Sequence, residues 1–244
     1  MNQSPGEILF LRVPPRGLFK PVGDTGRRGP TRLMSVFASN GFPGRVGERS
    51  ITCFWIGMGR RVRVPGRRLV ERIREGAVAE IVDIGCAGAL DPSLRRGDLV
   101  LSSRDISLDG GAEPVVHRRP ELCSLLQEVA AGRGVGFRRA PILTHERFVA
   151  GREERTGLFH GTGCAAVQIE HLWFLRLLRS LLGAAPFKRI RVTHLVLITD
   201  AVPRSTDRMA TVRSAWDALT GYAFPGGGGI TSLRREVLTH WPSL

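Results

Sequence analysis

Short apolar runs alternate with amphipathic stretches along most of the chain. The apolar runs predict strands at residues 7–11, 50–56, 80–84, 98–102, 140–143 and 191–198. Amphipathic spacing predicts helices at residues 65–75, 120–131 and 204–219, and residues 165–182 are predicted to be a long helix approached by a strand. Strands that alternate with helices are typical of an α/β fold with mostly parallel pairing. We therefore expect a single α/β domain over residues 1–244.

The composition fits a globular domain rather than a membrane protein. The chain has 244 residues, and 42% of them are hydrophobic, which is enough for a sizeable core. No run of about 18 consecutive apolar residues occurs, and the first residues lack the basic and apolar regions of a signal peptide. We therefore expect no membrane span and a cytoplasmic location.

Basic residues outnumber acidic ones, but they are dispersed. The formal net charge is +14, with arginines paired along the whole chain and lysine only at Lys20 and Lys188. Nucleic-acid binding usually needs a clustered basic face or a recognisable motif such as a helix-turn-helix or zinc finger, and the sequence has neither. We expect the charge to affect solubility and encounter with anions, and we expect no nucleic-acid partner.

The cysteines give no sign of a metal site or a disulfide framework. They are scattered along the chain without a CxxC pair, and no histidine lies at metal-ligand spacing from them. Their positions are Cys53, Cys86, Cys123 and Cys164. The sequence therefore predicts reduced thiols, no metal and no cofactor.

One segment combines an aromatic residue with a carboxylate. Phe148 precedes an apolar run at residues 164–167, which leads to Glu170. An ionised glutamate near the interior is costly unless it accepts strong hydrogen bonds, such as those of ribose hydroxyls, and Phe148 offers a flat face for a base. This spacing suggests a nucleoside pocket. The alternative is a core phenylalanine and a glutamate beside a helix N-terminus.

Five segments occur in the order found in the purine nucleoside phosphorylase and methylthioadenosine/S-adenosylhomocysteine nucleosidase superfamily. Residues 81–101 resemble its glycine turn and Gly-Asp segment, with the sequence IVDIGCAGALDPSLRRGDLVL. Residues 56–59 resemble its earlier Gly-x-Gly strand end, and residues 144–148 resemble its base-stacking loop. Residues 167–170 (VQIE) resemble its ribose-binding Val-Asp-Met-Glu, and residues 198–200 (ITD) resemble its catalytic Ser-Asp pair.

The resemblance implies a phosphorylase/hydrolase-like three-layer sandwich, in which helices flank a central twisted mixed sheet. It also implies a homo-oligomer that binds a small-molecule nucleoside together with water or phosphate. Residues 1–49 would then be a divergent N-terminal part of the single domain, and residues 220–244 would be a C-terminal tail.

The implied reaction is cleavage of a purine N-glycosidic bond through an oxocarbenium-like sugar. Asp200 would donate to the purine ring. Glu170 would hold the ribose hydroxyls, Phe148 would stack on the base, and the backbone of Ile169 would lie along the sugar. The other implied site residues are Arg213, which would assist Asp200 as in trimeric-type phosphorylases, and Cys86, Ala87 and Gly88 of the glycine turn. A structural alternative for Asp200 is an N-cap of the segment that follows it.

Three positions depart from the superfamily pattern. The nucleosidases carry a water-activating glutamate after the first strand, where this chain has Arg16 and no carboxylate. Arg16 would instead bind an anion such as phosphate. The phosphate-binding Arg and Ser of the phosphorylases are replaced by Asp83 and Cys86, and a carboxylate there would repel phosphate or position water.

We therefore expect an N-ribosyl-cleaving enzyme that acts on a purine nucleoside or a nucleoside-like metabolite, with hydrolysis slightly favoured over phosphorolysis. The alternative is a non-catalytic ligand-binding protein that retains the fold. The sequence does not identify the base, the 5′ substituent or the size of the oligomer.

Overall fold

The computed structural model describes residues 7–11, 42–46, 49–54, 67–76, 78–110, 112–113, 120–202 and 237. The strands of this part of the chain are β1 (Glu7–Leu11), β2 (Phe42–Val46), β3 (Arg49–Phe54), β4 (Val78–Ala89), β5 (Leu99–Ser107), β6 (Ala112–Glu113), β7 (Phe137–Thr144), β8 (Ala166–Gln168) and β9 (Arg191–Asp200). The helices are α1 (Arg67–Arg74), α2 (Pro120–Gly132), α3 (Arg152–Thr162), α4 (His171–Leu182) and α5 (Ala184–Lys188).

All of the described strands belong to one mixed sheet, part of which closes on itself. The central strand β4 pairs in parallel with β1 and β9 and antiparallel with the short β8. On the other side, β9 pairs antiparallel with β5, and the parallel pairs β5–β7 and β7–β8 complete a ring of five strands. The parallel strand β3 and the antiparallel strand β2 extend the sheet beyond β1. Because the ring is closed, the ends of its strands lie close together.

Helices cover both faces of the sheet. Along β4, Val82 and Ile84 pack with α2 on one face, whereas Ile81 packs with α1 and α4 on the other. This alternation follows from the two-residue period of a strand, and both faces are apolar because each is covered. Each face holds a buried hydrophobic cluster. The cluster on one face is centred on Leu122 and Leu126 of α2, and the cluster on the other face is centred on Phe174 and Leu178 of α4. The predicted three-layer α/β sandwich is confirmed.

Most predicted elements are present, with different bounds. The strand predicted at 80–84 continues to Ala89, because residues 85–89 keep pairing with β9 and β8. The helix predicted over 165–182 is wrong in its first part: residues 166–168 form β8 between β4 and β7, and α4 begins only at His171. The predicted helix at 204–219 lies outside the described residues. Besides β8, the described elements that the pattern did not predict are β2, β6, α3 and α5.

None of the helices in the described part of the chain is long and apolar enough to cross a membrane.

Candidate active site

Four strands meet side by side at one edge of the ring. Gly88 of β4 pairs with Asp200 of β9 and with Val167 of β8. Thr144, the last residue of β7, pairs with Gln168, the last residue of β8. The carboxyl ends of the parallel strands β4 and β9 lie here, and α/β sheets commonly bind ligands beyond such ends, so this region is the candidate site.

Asp200, the candidate acid, is the last residue of β9 and is only 3% exposed. Its Oδ2 accepts a hydrogen bond from Arg155 Nη2, and its Oδ1 accepts one from the Thr199 hydroxyl at 2.6 Å. The Thr199 hydroxyl also lies 3.2 Å from the carbonyl oxygen of Ala87. A hydroxyl has one hydrogen, so it donates to only one of these acceptors at a time. When it turns to Ala87, Asp200 Oδ1 becomes available to a ligand.

Arg155 of α3 holds Asp200 in place and is itself only 1% exposed. Its guanidinium also donates to the carbonyl oxygens of Val149, Ala89, Asp200 and Ala201, at 2.8–3.3 Å. These carbonyls belong to the loop after β7, the end of β4 and the end of β9. A buried charge is tolerated only when it is paired and hydrogen-bonded, and this arginine satisfies both conditions. One side chain therefore ties together three parts of the candidate site.

Gly88 lies directly against this ion pair. A Cβ atom at position 88 would approach Arg155 Nη2 to 2.9 Å and Asp200 Oδ2 to 3.0 Å, which is closer than ordinary van der Waals contact. The guanidinium cannot move aside without losing its hydrogen bonds to the carbonyls. Glycine is required at this position because there is no space for a side chain.

Glu170, the candidate ribose ligand, is half-buried and directly precedes α4. Its backbone N–H and that of His171 donate to Gln168 Oε1 at 2.7 and 3.0 Å. Gln168 Nε2 donates to Thr144 Oγ1 at 2.5 Å, and the Leu172 N–H donates to the same oxygen at 3.3 Å. Glu170 therefore does lie at a helix N-terminus, as the structural alternative requires, but Gln168 and Thr144 supply the capping contacts and the Glu170 side chain supplies none.

The other predicted site residues differ in exposure. Phe148 is 41% exposed, so the alternative of a core phenylalanine is wrong. Ile169 is half-buried between Gln168 and Glu170, and Ala87 is buried. Cys86 is half-buried and packs against the cluster on the α2 face. Two predicted site residues lie outside the described part of the chain: Arg16 and Arg213.

Four ionisable side chains form a cluster between the sheet and the start of α4. This buried His–Asp cluster consists of Asp83 of β4, Asp105 of β5, His194 of β9 and His171 of α4, all 0% exposed. His171 Nδ1 lies 2.6 Å from Asp83 Oδ2, and His194 Nδ1 lies 2.7 Å from Asp105 Oδ1. The two imidazole rings stack with their centroids 3.8 Å apart and their planes 14° apart. Each carboxylate is thus matched to one imidazole.

The two histidines of the cluster have their pKa values shifted in opposite directions. Burial alone would lower the pKa of His171, but the carboxylates of Asp105 and Asp83 raise this pKa to about 9. Burial would raise the pKa of Asp105, but His194 and His171 hold it well below its ordinary value. Burial and the charge of His171 together lower the pKa of His194. Near neutral pH the cluster therefore contains a charged His171 and a neutral His194.

The position of Asp83 corrects an expectation drawn from the sequence. The Asp83 carboxylate was expected to repel phosphate or to position water. The structure instead encloses it completely and pairs it with His171. Its charge is compensated within the core, so it is not available to repel a bound phosphate.

Three members of the cluster also meet a distance criterion for metal binding, because ligand atoms of Asp83, His171 and His194 lie within 4.8 Å of one another. An imidazole binds a metal along a nitrogen lone pair, which lies in the plane of the ring. Two rings stacked at 3.8 Å and nearly parallel have separate planes, so no single ion can lie in both. The arrangement fits a hydrogen-bonded cluster better than a metal centre.

The charged state of His171 gives the folded protein a pH-dependent stability. Its pKa is about 9 in the folded state against 6.5 for an ordinary histidine, so its stabilising contribution is complete below about pH 6.5 and is lost as the pH rises to about 9. The shift corresponds to about 3 kcal/mol. We expect urea titrations between pH 7 and 10 to show this fall in the free energy of unfolding. The variant His171→Asn, which does not titrate, should lack this component, and an unchanged pH slope in that variant would contradict the assignment.

Comparison with protein families identifies the fold. A family model described as the phosphorylase superfamily matches residues 38–215. The chain belongs to this superfamily. The match includes the glycine turn, Glu170 and Asp200, and it confirms the relationship suggested by the sequence motifs. No curated protein matches the chain.

Solved structures of the same fold come from nucleosidases. The S-adenosylhomocysteine nucleosidase of Streptococcus pyogenes superposes with a TM-score of 0.62 at 15% identity, covering 99% of this chain and 100% of the other. The 5′-methylthioadenosine/S-adenosylhomocysteine nucleosidase of Helicobacter pylori gives 0.60 at 14% identity, covering 96% and 99%. The futalosine hydrolase of the same organism gives 0.55 at 15% identity, covering 96% and 97%. At this identity the similarity shows that the phosphorylase-superfamily fold is shared.

The sequence reasoning missed Arg155 and three members of the buried His–Asp cluster, namely Asp105, His171 and His194. Arg155 lies in the polar segment Arg152-Glu-Glu-Arg155, which resembles a solvated surface, and arginine is rarely fully buried. No signal in a single sequence marks it. His194 does leave a signal, because it interrupts the apolar run 191–198, just as Asp83 interrupts 81–84. Only the strand pairing, which places Asp83 beside His194, shows that these two residues belong together.

Proposed function

We propose that this member of the phosphorylase superfamily is a nucleosidase that hydrolyses the N-glycosidic bond of a purine nucleoside or nucleoside-like metabolite. The main support is one observation: Asp200 is a buried, firmly held carboxylate, and it pairs with the same residue, Gly88, as the strand β8 that leads to Glu170. The nucleosidases and the futalosine hydrolase that share the fold support hydrolysis as the reaction.

In this proposal the candidate residues divide the chemistry between the base and the sugar. Asp200 Oδ1 faces the leaving base once the Thr199 hydroxyl turns to the Ala87 carbonyl. The carboxylate, which is ion-paired with Arg155 at rest, takes up a proton from water on this oxygen and passes it to the base as the glycosidic bond breaks. Glu170 accepts hydrogen bonds from the ribose hydroxyls, and its negative charge stabilises the positive charge that develops on the sugar. The exposed ring of Phe148 covers the base.

Phosphorolysis is the second candidate, because Asp83 is enclosed and paired with His171. Like-charge repulsion by this carboxylate is therefore no reason against a bound phosphate. By sequence, Arg16 takes the position of the nucleosidases' water-activating glutamate, and an arginine is suited to binding an anion.

A product assay decides between these functions. The protein is incubated with purine ribonucleosides, 5′-methylthioadenosine, S-adenosylhomocysteine and futalosine, in phosphate-free buffer and with millimolar phosphate. We expect free base and free sugar in both buffers. Ribose-1-phosphate formation that depends strictly on phosphate would establish phosphorolysis. Nucleoside binding without release of base under either condition would indicate a non-catalytic binding protein.

The proposed role of Glu170 predicts a change in sugar preference. In the variant Glu170→Gln, the side chain keeps its size but loses the negative charge that strengthens the hydrogen bonds it accepts from the ribose hydroxyls. A hydrogen bond to a charged group is worth roughly 1.5–3 kcal/mol, so kcat/KM for ribonucleosides should fall by about 10- to 150-fold. The kcat/KM for 2′-deoxyribonucleosides should fall much less. Equal losses on the two kinds of substrate would show that Glu170 has only a structural role.

A further inference from the structure

The buried His–Asp cluster is connected to the candidate ribose ligand by a single peptide bond. His171 is the first residue of α4 and directly follows Glu170. Two sets of contacts hold this point of the backbone. The Gln168 side chain accepts hydrogen bonds from the N–H groups of Glu170 and His171, and the His171 side chain extends inward to Asp83 at 2.6 Å.

The His171 ring is held from three strands. Asp83 of β4 contacts its Nδ1, the Asp105 Oδ2 atom of β5 lies 3.4 Å from its Nε2, and His194 of β9 stacks on its face. The two carboxylates define the position of the ring within its plane, and the stacked imidazole defines its position perpendicular to that plane. A side chain fixed in all three directions also fixes its own Cα atom, and therefore the peptide that it shares with Glu170.

The stabilising effect of the His171 charge does not explain why ionic rather than apolar side chains fill this place. A cation at a helix N-terminus is unfavourable because it meets the positive end of the helix dipole. A buried ionic cluster is often no more stable than apolar side chains of similar volume, but its directional contacts specify one geometry. The following turns of α4 are held by apolar contacts instead, since Leu175 and Leu178 pack against the sheet face there. Within α4, the fully buried ionic contacts are those of its first residue, directly after Glu170.

We propose that the buried His–Asp cluster positions Glu170: by fixing His171 against β4, β5 and β9, it determines where α4 begins and where the Glu170 carboxylate meets the sugar. This inference rests on the function proposed above. His171 is fully enclosed, so it is a positioning residue that acts through Glu170.

The test compares sugar preference among three variants. For each one, kcat and KM are measured with a purine ribonucleoside and its 2′-deoxy analogue, at a temperature where circular dichroism shows a folded protein. His171→Leu removes both contacts to carboxylates. His171→Asn keeps a hydrogen-bond donor near the Nδ1 position. Leu178→Ala is the matched control, because it creates a cavity under the same helix without touching the cluster.

We expect the wild-type protein to prefer the ribonucleoside by about 10-fold or more, as a hydroxyl bound to a charged group allows. His171→Leu should reduce this preference at least about fivefold, His171→Asn should restore part of it, and Leu178→Ala should retain it. In the double variant His171→Leu/Glu170→Gln, the preference should be no lower than in Glu170→Gln alone, because the same interaction is already lost.

An undiminished preference in folded His171→Leu would overturn the positioning role while leaving the proposed function intact. If His171→Leu does not fold, a preference in His171→Asn equal to that of the wild type would overturn it in the same way, and a reduced one would support it. If the wild-type protein itself shows no preference for ribose, Glu170 is not the ribose ligand, and the proposal that the cluster positions it is overturned as well. The wild-type measurement therefore separates the two failures.

Discussion

The variant Asp200→Asn is expected to release base roughly 10² to 10⁴ times more slowly than the wild-type protein, which is the usual size of a general acid–base contribution. Asparagine has nearly the same shape as aspartate and can still accept a hydrogen bond from Arg155, but it has no acidic proton to give to the leaving base. The measurement is kcat for the best nucleoside found in the product assay, at several pH values.

The control for this experiment must separate chemistry from folding. Asp109 pairs with Arg176 at 2.7 Å near the surface, and its side chain is 49% exposed. Asp109→Asn removes an aspartate from an ion pair without changing the candidate site, so it should retain wild-type kcat. A substrate whose leaving group needs no protonation offers a second control, because Asp200→Asn should slow it far less. If folded Asp200→Asn has the same kcat as the wild type, Asp200 is not the acid.

The fold could be predicted from the sequence because most of the local patterns agree with the final structure. The apolar runs at 7–11 and 191–198 became β1 and β9, and β9 continues two residues further, to Asp200. The error at 165–182 has a physical cause. Ala166 and Val167 are apolar and are equally suited to a buried helix or a buried strand. Only their pairing with Ala89, Gly88, Ile142 and Leu143 makes them a strand. Such pairing is long-range information that local periodicity does not contain.

The candidate site was only partly predictable. Motif spacing identified Asp200 and Glu170, whose neighbours in sequence carry the resemblance. It did not identify Arg155, which lies 45 residues from Asp200 and is buried against the usual tendency of arginine. It also assigned Asp83 to an anion site, because the sequence shows a charge but not the histidine that compensates it. Residues that act through a partner distant in sequence are therefore the ones that the pattern missed.

The second large effect is a loss of stability, expected when Arg155 is replaced. Replacing it with methionine leaves the Asp200 carboxylate buried at 3% exposure without its cation, and leaves the carbonyl oxygens of Val149 and Ala89 without their donor. Removing one partner of a buried ion pair typically costs 3–5 kcal/mol. We expect Arg155→Met to lower the free energy of unfolding by about this amount in urea titrations. Arg176→Met, which breaks the exposed pair with Asp109, should change it by no more than about 1 kcal/mol.

The double variant Arg155→Met/Asp200→Asn distinguishes a structural ion pair from a catalytic one. Since both charges are removed, the double variant should be more stable than the sum of the two single losses implies, with a coupling of about 1–3 kcal/mol. Base release should not recover, because the proton donor is still absent. Additive losses of stability would mean that Arg155 and Asp200 are not coupled in solution. Recovery of wild-type kcat in the double variant would mean that Asp200 affects the reaction only through its charge on Arg155, and the acid would then have to be sought elsewhere at the strand-end edge.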